Sequence, residues 1–174
     1  ELWRMDKGNW KKFKSGNNNF SNPKFAKETN AIFYVKTNRS VQDKSKSKKT
    51  SSTIEMQLGR SLSSIFEIEG SINNYVLSSN EKFLYVITSE WSEEFKNIEI
   101  KDSEPMYYES LPFRFDTKGI IYNKRGSIYK VNLQSGKSEK VVDGDKHNII
   151  SIDSLVENNG VLTFVYDKHN SKGT

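Results

Sequence analysis

Cysteine does not occur in this chain, which excludes a disulfide framework and any thiolate metal site. With no secretory leader pattern in the sequence, a reducing, cytoplasmic setting is expected. Histidine is scarce as well: His147 and His169 are the only two, so few imidazoles are on hand for base catalysis or metal ligation. No apolar run approaches the roughly 18 residues of a membrane span, and no membrane partner is expected. Helical patterning is also missing. No window keeps apolar residues at helical spacing for three turns, and the longest helix-compatible stretch, Glu90 to Glu99, is short and acidic.

What the chain does contain is a succession of short aromatic and β-branched runs. Hydrophobic residues make up only 34% of its 174 residues, yet aromatics reach 12%. That mix suits sheets with a polar face and long polar loops. Leu111 to Val142 shows the unit best, reading LPFRFDTKGIIYNKRGSIYKVNLQSGKSEKVV. Strand-like runs are interrupted at Asp116–Gly119, Lys124–Gly126 and Gln134–Lys137, where glycine beside small or charged residues favours tight turns. Two or three consecutive hairpins, a β-meander, are predicted for this stretch.

The pattern recurs. Predicted strands are Leu2–Met5, Trp10–Ser15, Lys24–Ala26 (after Pro23), Ala31–Thr37, Ile54–Leu58, Ser64–Glu69, Asn74–Leu77 and Phe83–Thr88. Ile128–Leu133, Glu139–Val142, Ile149–Leu155 and Val161–Tyr166 follow. Phe25 precedes Ala31, Leu77 precedes Phe83 and Leu155 precedes Val161 by the same six positions, with polar turn residues filling the gaps. Units of four strands recurring every forty to fifty residues predict an all-β partial β-propeller of four-stranded antiparallel blades. About two blades are complete and the end blades are incomplete. Residues 1–174 are therefore read as a fragment of a single propeller domain. Insertions at about 38–53 and 90–126 fall between second and third strands, because repeats take up insertions in loops on one face.

The net charge of +5 raises the question of nucleic acid, but much of the excess sits in Lys44–Lys49, KSKSKK, within a serine-rich loop. A solvated loop is the expectation there, and nucleic acid is not an expected partner. The incomplete end blades also predict exposed strand edges, and with them self-association of the chain through those edges.

Three segments resemble a known family. ELWRMDKGNWKKF resembles the "LW-x-M-D…G" hairpin of the propellers attached to prolyl oligopeptidase-like serine peptidases. NPKFAKETNAIFYVKT falls where such blades carry a proline-aspartate-glycine turn and an "I-A-F-V" strand. LPFRFDTKGIIYNKRGSIYKVNLQSGKSEKVVDGD is similar to the acylaminoacyl-peptidase branch, with its "lpfrfdgkG" hairpin, "lyvvdl…G" strand and "LTdGd" ending. A charged insertion between AIFYVKT and TIEMQL also matches that branch. The chain departs from the family at the proline-aspartate-glycine turn, where it has Ala26-Lys27-Glu28-Thr29, Ser78-Ser79-Asn80-Glu81 and Val156-Glu157-Asn158-Asn159. Val142 replaces the usual threonine. The resemblance implies a non-catalytic, substrate-gating cap. Its partners would be peptide substrates and a catalytic α/β-hydrolase domain of the same parent chain. The alternative is a free-standing TolB-like propeller that binds proteins.

No catalytic, cofactor-binding or metal-binding residue is assigned. A hydrolase elbow needs G-x-S-x-G; Gly59-Arg60-Ser61-Leu62-Ser63 lacks the second glycine and reads as a hairpin turn. His147 and His169 read as exposed loop residues. Gly136-Lys137-Ser138 lacks the earlier glycine of a phosphate-binding loop, with Val131 in its place. Asp143-Gly144-Asp145 lacks the remaining ligand spacing of a calcium loop. Glu93, Glu94, Glu99, Asp102, Glu104 and Glu109 read as a solvated acidic stretch. Phe33, Tyr34, Tyr85, Phe164 and Tyr166 read as packing between blades rather than a stacking platform for bases.

Overall fold

The computed structural model describes residues 1–14, 16, 18–38, 50–93, 114–115, 119–120 and 124–168, without the side chains at positions 4, 6, 114, 115 and 120. The fold is all-β and antiparallel. β1 (Leu2–Asp6) and β2 (Asn9–Lys14) form a two-stranded sheet. β3 (Asn19–Phe25), β4 (Ile32–Asn38), β5 (Ser51–Leu58) and β6 (Ser61–Glu69) form a four-stranded meander. β7 (Ser71–Leu77), β8 (Phe83–Trp91), β11 (Lys124–Asn132) and β12 (Ser138–Val142) form a second sheet of the same order. β9 (Arg114–Phe115) and β10 (Gly119–Ile120) pair separately within the connection from β8 to β11. A four-residue helix, α1 (Gly144–His147), leads into the hairpin β13 (Ile149–Asn158) and β14 (Val161–Lys168).

Alternation of side chains in the central strands stacks these sheets face to face. Phe33 and Val35 of β4 meet Leu84 and Val86 of β8 in one core cluster, joined by Ala31, Ile54, Phe66, Tyr75 and Val131. The residues between them point the other way. Tyr85 and Ile87 of β8 join Ile128, Ile149, Ile152 and Leu155 in a second cluster, against β13. Tyr34, on the reverse face of β4, takes the Phe13 ring of β2 edge-on at 6.1 Å. The order of packing is thus β1–β2, first meander, second meander, β13–β14. Each fully buried aliphatic or aromatic side chain contributes on the order of 1.5–3 kcal/mol, so the two seams supply most of the stabilisation.

The equivalence of the units extends to their irregularities. The pairing of third and fourth strands shifts register between Ile54 and Glu55 in the first meander and between Ile128 and Tyr129 in the second. In the two-stranded sheet at the start of the chain it shifts between Leu2 and Trp3. β1–β2 therefore matches the second half of the unit, and β13–β14 the first half. The turns within first hairpins are latched from one unit to the next. Glu81 accepts from the backbone N–H groups of Glu28 and Thr29 at 3.1 and 3.2 Å, and Glu157 accepts from Ser79 N–H and Oγ at 2.7 Å.

Two expectations need correction. Pro23 does not precede its strand but lies inside β3, where the register shifts between Ser21 and Lys24 and Asn22 takes φ +50°. A bulge on an outermost strand tolerates a residue with no N–H to donate. Lys124–Gly126 is strand rather than a break, paired with Ser89–Trp91. Gly126 is there for closeness: a Cβ on it would sit 3.1 Å from Ile152 N. The strands around both insertions run further than expected, to Asn38 and Trp91, and resume at Ser51 and Lys124. The lysine run lies outside the described residues. Among the described residues no helix is long and apolar enough to cross a membrane.

Candidate functional site

Several of the polar groups that the fold buries, among them Thr88, Glu90, Ser92 and Ser127, lie toward the end of the sheets from which the long connections leave. Along β8 the face that carries Leu84 and Val86 continues with Thr88 and then Glu90, both buried. Glu90 accepts a hydrogen bond from Thr88 Oγ1 at 2.8 Å and another from the Tyr129 hydroxyl at 3.1 Å. Lys140 Nζ stands 3.7 Å from the same carboxylate and 4.0 Å from Asp143. Tyr129 packs against the Phe66 ring of the first meander, centroids 5.2 Å apart. Burial, then the charge and hydrogen bond of Glu90, push the Tyr129 phenol well above its ordinary pKa.

A second cluster of the same composition occupies the far face of the first meander. The Tyr34 hydroxyl donates to Glu55 at 2.7 Å and Lys36 Nζ reaches the other carboxylate oxygen at 3.1 Å. Phe20 and Phe13 stand edge-on to Tyr34. Burial and then Glu55 raise the Tyr34 phenol well above its ordinary value. In both clusters the carboxylate is held by a tyrosine and a lysine of its own sheet. Such a set has the parts for proton transfer, but neither Glu55 nor Glu90 lines either of two clefts between the sheets. These contacts give the two buried carboxylates their hydrogen-bond partners.

One cleft, of about 290 Å³, lies between the two meanders at the turn end and is mainly apolar, with Phe33, Met56 and Leu58 against Phe83 and Leu133. The other, of about 250 Å³, lies between β12 and the last hairpin, with Val141, Val142, Phe164 and Tyr166 among its walls. Ile149, His147 and Lys168 also line that hollow, and among the described residues its lining holds no serine and no carboxylate.

The candidates named from sequence are dispersed by this geometry. Ser61 opens β6 opposite Leu58 after a two-residue turn in which Gly59 takes φ +57°, a hairpin as expected. Gly136 takes φ +68° in the turn from β11 to β12, and its N–H donates to the Asn132 carbonyl. Asp143-Gly144-Asp145 is not a plain loop. Asp143 caps α1, accepting from the Asp145 N–H at 3.1 Å, while Asp145 pairs with Arg125 at 3.8 Å. His147 ends α1; His169, Glu94, Glu99, Asp102, Glu104 and Glu109 lie outside the described residues. Phe33, Tyr34 and Tyr85 are buried between sheets as expected, whereas Tyr166 remains 48% exposed.

Sequence reasoning missed the Glu90 cluster. Its charge places Glu90 at the start of an acidic insertion, whereas the period-two series Leu84, Val86, Thr88, Glu90 places it on the inner face of a longer strand. No protein-family model matches the chain, and no curated protein is significantly similar to it.

Proposed function

We propose that this chain is a non-catalytic portion of a β-propeller that gates substrate access to an acylaminoacyl-peptidase-like serine hydrolase, whose catalytic α/β-hydrolase domain lies outside it. The observation that carries the proposal is the repetition of one four-stranded meander, stacked face to face, with matching half-units on either side. Sheets repeated in this way are the building plan of propellers. The resemblance of residues 111–145 to the acylaminoacyl-peptidase branch supplies the choice of enzyme. In this role the chain contributes walls and loops rather than a nucleophile, and peptides are the ligands that pass it. The setting is cytoplasmic.

A serine-reactive fluorophosphonate probe tests the reading. It should label the parent polypeptide that joins this chain to a hydrolase domain and leave Glu1–Thr174 alone unlabelled. Cleavage of long polypeptides by that parent should rise, relative to short acyl-peptides, when the sheet stack is loosened. Labelling of Ser61 or any other serine of this chain would refute it. A parent with no probe-reactive serine would refute it too, in favour of a TolB-like protein-binding propeller.

A further inference from the structure

The two complete meanders differ at one position of their turn ends. Their first hairpins close in the same way: the Ala26 N–H donates to the Ala31 carbonyl and the Ser78 N–H to the Phe83 carbonyl, each at 2.9 Å. Ala31 and Phe83 are therefore equivalent, and each belongs to the face of its sheet that meets the next one. The Phe83 ring packs into the second seam. Ala31 leaves the first seam short of a ring, and the cleft of about 290 Å³ opens there, walled by Phe33, Met56, Leu58 and Leu133. Of these walls Leu58 is 47% exposed.

The surroundings of this cleft are positively charged. The four hairpin turns of the two meanders lie at this end, and each carries one cation: Lys27, Arg60, Lys82 and Lys137. All four are exposed, and among the described residues none of them pairs with a carboxylate. The carboxylates of the same turns are Glu28 and Glu81. Glu81 is already engaged by the N–H groups of Glu28 and Thr29. Four cations against two carboxylates leave the mouth of the cleft electropositive.

We infer that this cleft docks an acidic peptide segment, which anchors one large apolar side chain in the cleft and sets carboxylates on either side of it against the turns. Size limits the anchor. At about 290 Å³ the cleft lies at the lower edge of the roughly 300–1,000 Å³ of pockets that enclose a drug-sized ligand, so it suits one side chain rather than a whole molecule. The spacing of the charge selects a peptide over an amphiphile with a single head group. Turns of one sheet lie two strand spacings apart, about 10 Å, and stacked sheets are also about 10 Å apart. A lone carboxylate reaches one cation. An extended peptide rises about 3.3 Å per residue, so acidic residues two positions before and after the anchor stand roughly 13 Å apart and reach turns on opposite sides of the mouth. A buried apolar anchor inside a polar rim is also the arrangement in which few contacts dominate binding. Only the two complete meanders take part, so the site stands whether or not the parent is a hydrolase.

Fluorescence polarisation of a labelled Glu-Asp-Phe-Asp-Glu peptide against the Glu1–Thr174 polypeptide should give a Kd in the micromolar range, weakening as salt screens the exposed charges. Gln-Asn-Phe-Asn-Gln and Glu-Asp-Gly-Asp-Glu, which lack the charges and the anchor respectively, should each bind at least about tenfold more weakly. Lys82→Glu should weaken binding of the first peptide about tenfold. Lys146→Glu, the same charge change in α1 at the opposite end of the sheets, should leave it within about twofold. Leu58→Asp should weaken it about tenfold or more, with an unchanged far-UV circular dichroism spectrum; where that spectrum changes, the two lysine variants decide. Absence of binding, equal losses from Lys82→Glu and Lys146→Glu, or unchanged affinity in a folded Leu58→Asp would each overturn the inference. Competition by laurate at the peptide's own concentration would overturn it in favour of an amphiphile site. A mass of two chains that Leu58→Asp returns to one would overturn it in favour of a second copy.

Discussion

Gly144→Ala separates what the sequence suggests from what the packing dictates, because the two give opposite signs. Gly144 is the first residue of α1, behind the Asp143 cap. In a helix, alanine is favoured over glycine by about 1 kcal/mol, and restricting the unfolded chain acts in the same direction. On local grounds the variant is more stable. The tertiary contact reverses this. A Cβ at position 144 would stand 2.3 Å from the Gly126 carbonyl oxygen and 2.9 Å from Arg125 Cβ. The oxygen belongs to a β11 residue paired to β8 on one side and tight against β13 on the other, so it has no room to retreat. Overpacking of this kind costs about 1–3 kcal/mol, and a backbone clash this close belongs at the upper end. The net expectation is a loss of about 2 kcal/mol, or roughly 4–8 °C in Tm for a chain of this size. Urea denaturation and a thermal scan of the variant measure it, with the exposed Lys146→Ala as a neutral control. A Gly144→Ala protein as stable as the parent, or more so, would show that α1 does not rest on β11 as described.

Glu90→Ala should cost about 2–4 kcal/mol in urea denaturation, because Thr88, Tyr129 and Lys140 lose their shared acceptor, whereas Tyr129→Phe removes one hydrogen bond and should cost about 1 kcal/mol. Burial raises the phenols of Tyr34, Tyr75 and Tyr129. Above the ordinary tyrosine pKa of about 10 the unfolded chain therefore gives up protons that the folded chain keeps, and stability falls as pH rises. Ultraviolet titration should show a group of tyrosines that ionise only on unfolding; complete titration of all tyrosines near pH 10 in the folded protein would contradict this. Desolvation raises Glu81, but the N–H groups of Glu28, Thr29 and Lys27 outweigh it and hold the carboxyl below its ordinary range. Glu81→Gln should accordingly speed hydrogen exchange at the Glu28 and Thr29 amides at neutral pH, and unchanged protection there would argue against the latch.

Alternating runs such as AIFYVKT and FLYVIT, separated by turn residues at equal spacing, were enough to determine an all-β chain of repeated antiparallel hairpins. Strand alternation and glycine at positive φ are local properties, so composition and order carry them. The same logic read Ser61 and Gly136 as turn positions. Local signals misled where a residue's reason for being there lies in another sheet. Gly126 is indistinguishable in sequence from a turn glycine, yet it stays in the strand because Ile152 passes too close for a Cβ. Gly144 reads as part of an acidic loop, yet the contact with β11 makes it the seat of a helix. Charge alone assigns Glu90 to an acidic insertion, whereas its burial is decided by Tyr129 and Lys140, which lie 39 and 50 positions further along the chain. What tertiary structure alone decided is which faces meet. Burying a charge or omitting a side chain is favourable only when the partner surface is in place, and no window of the sequence contains that surface.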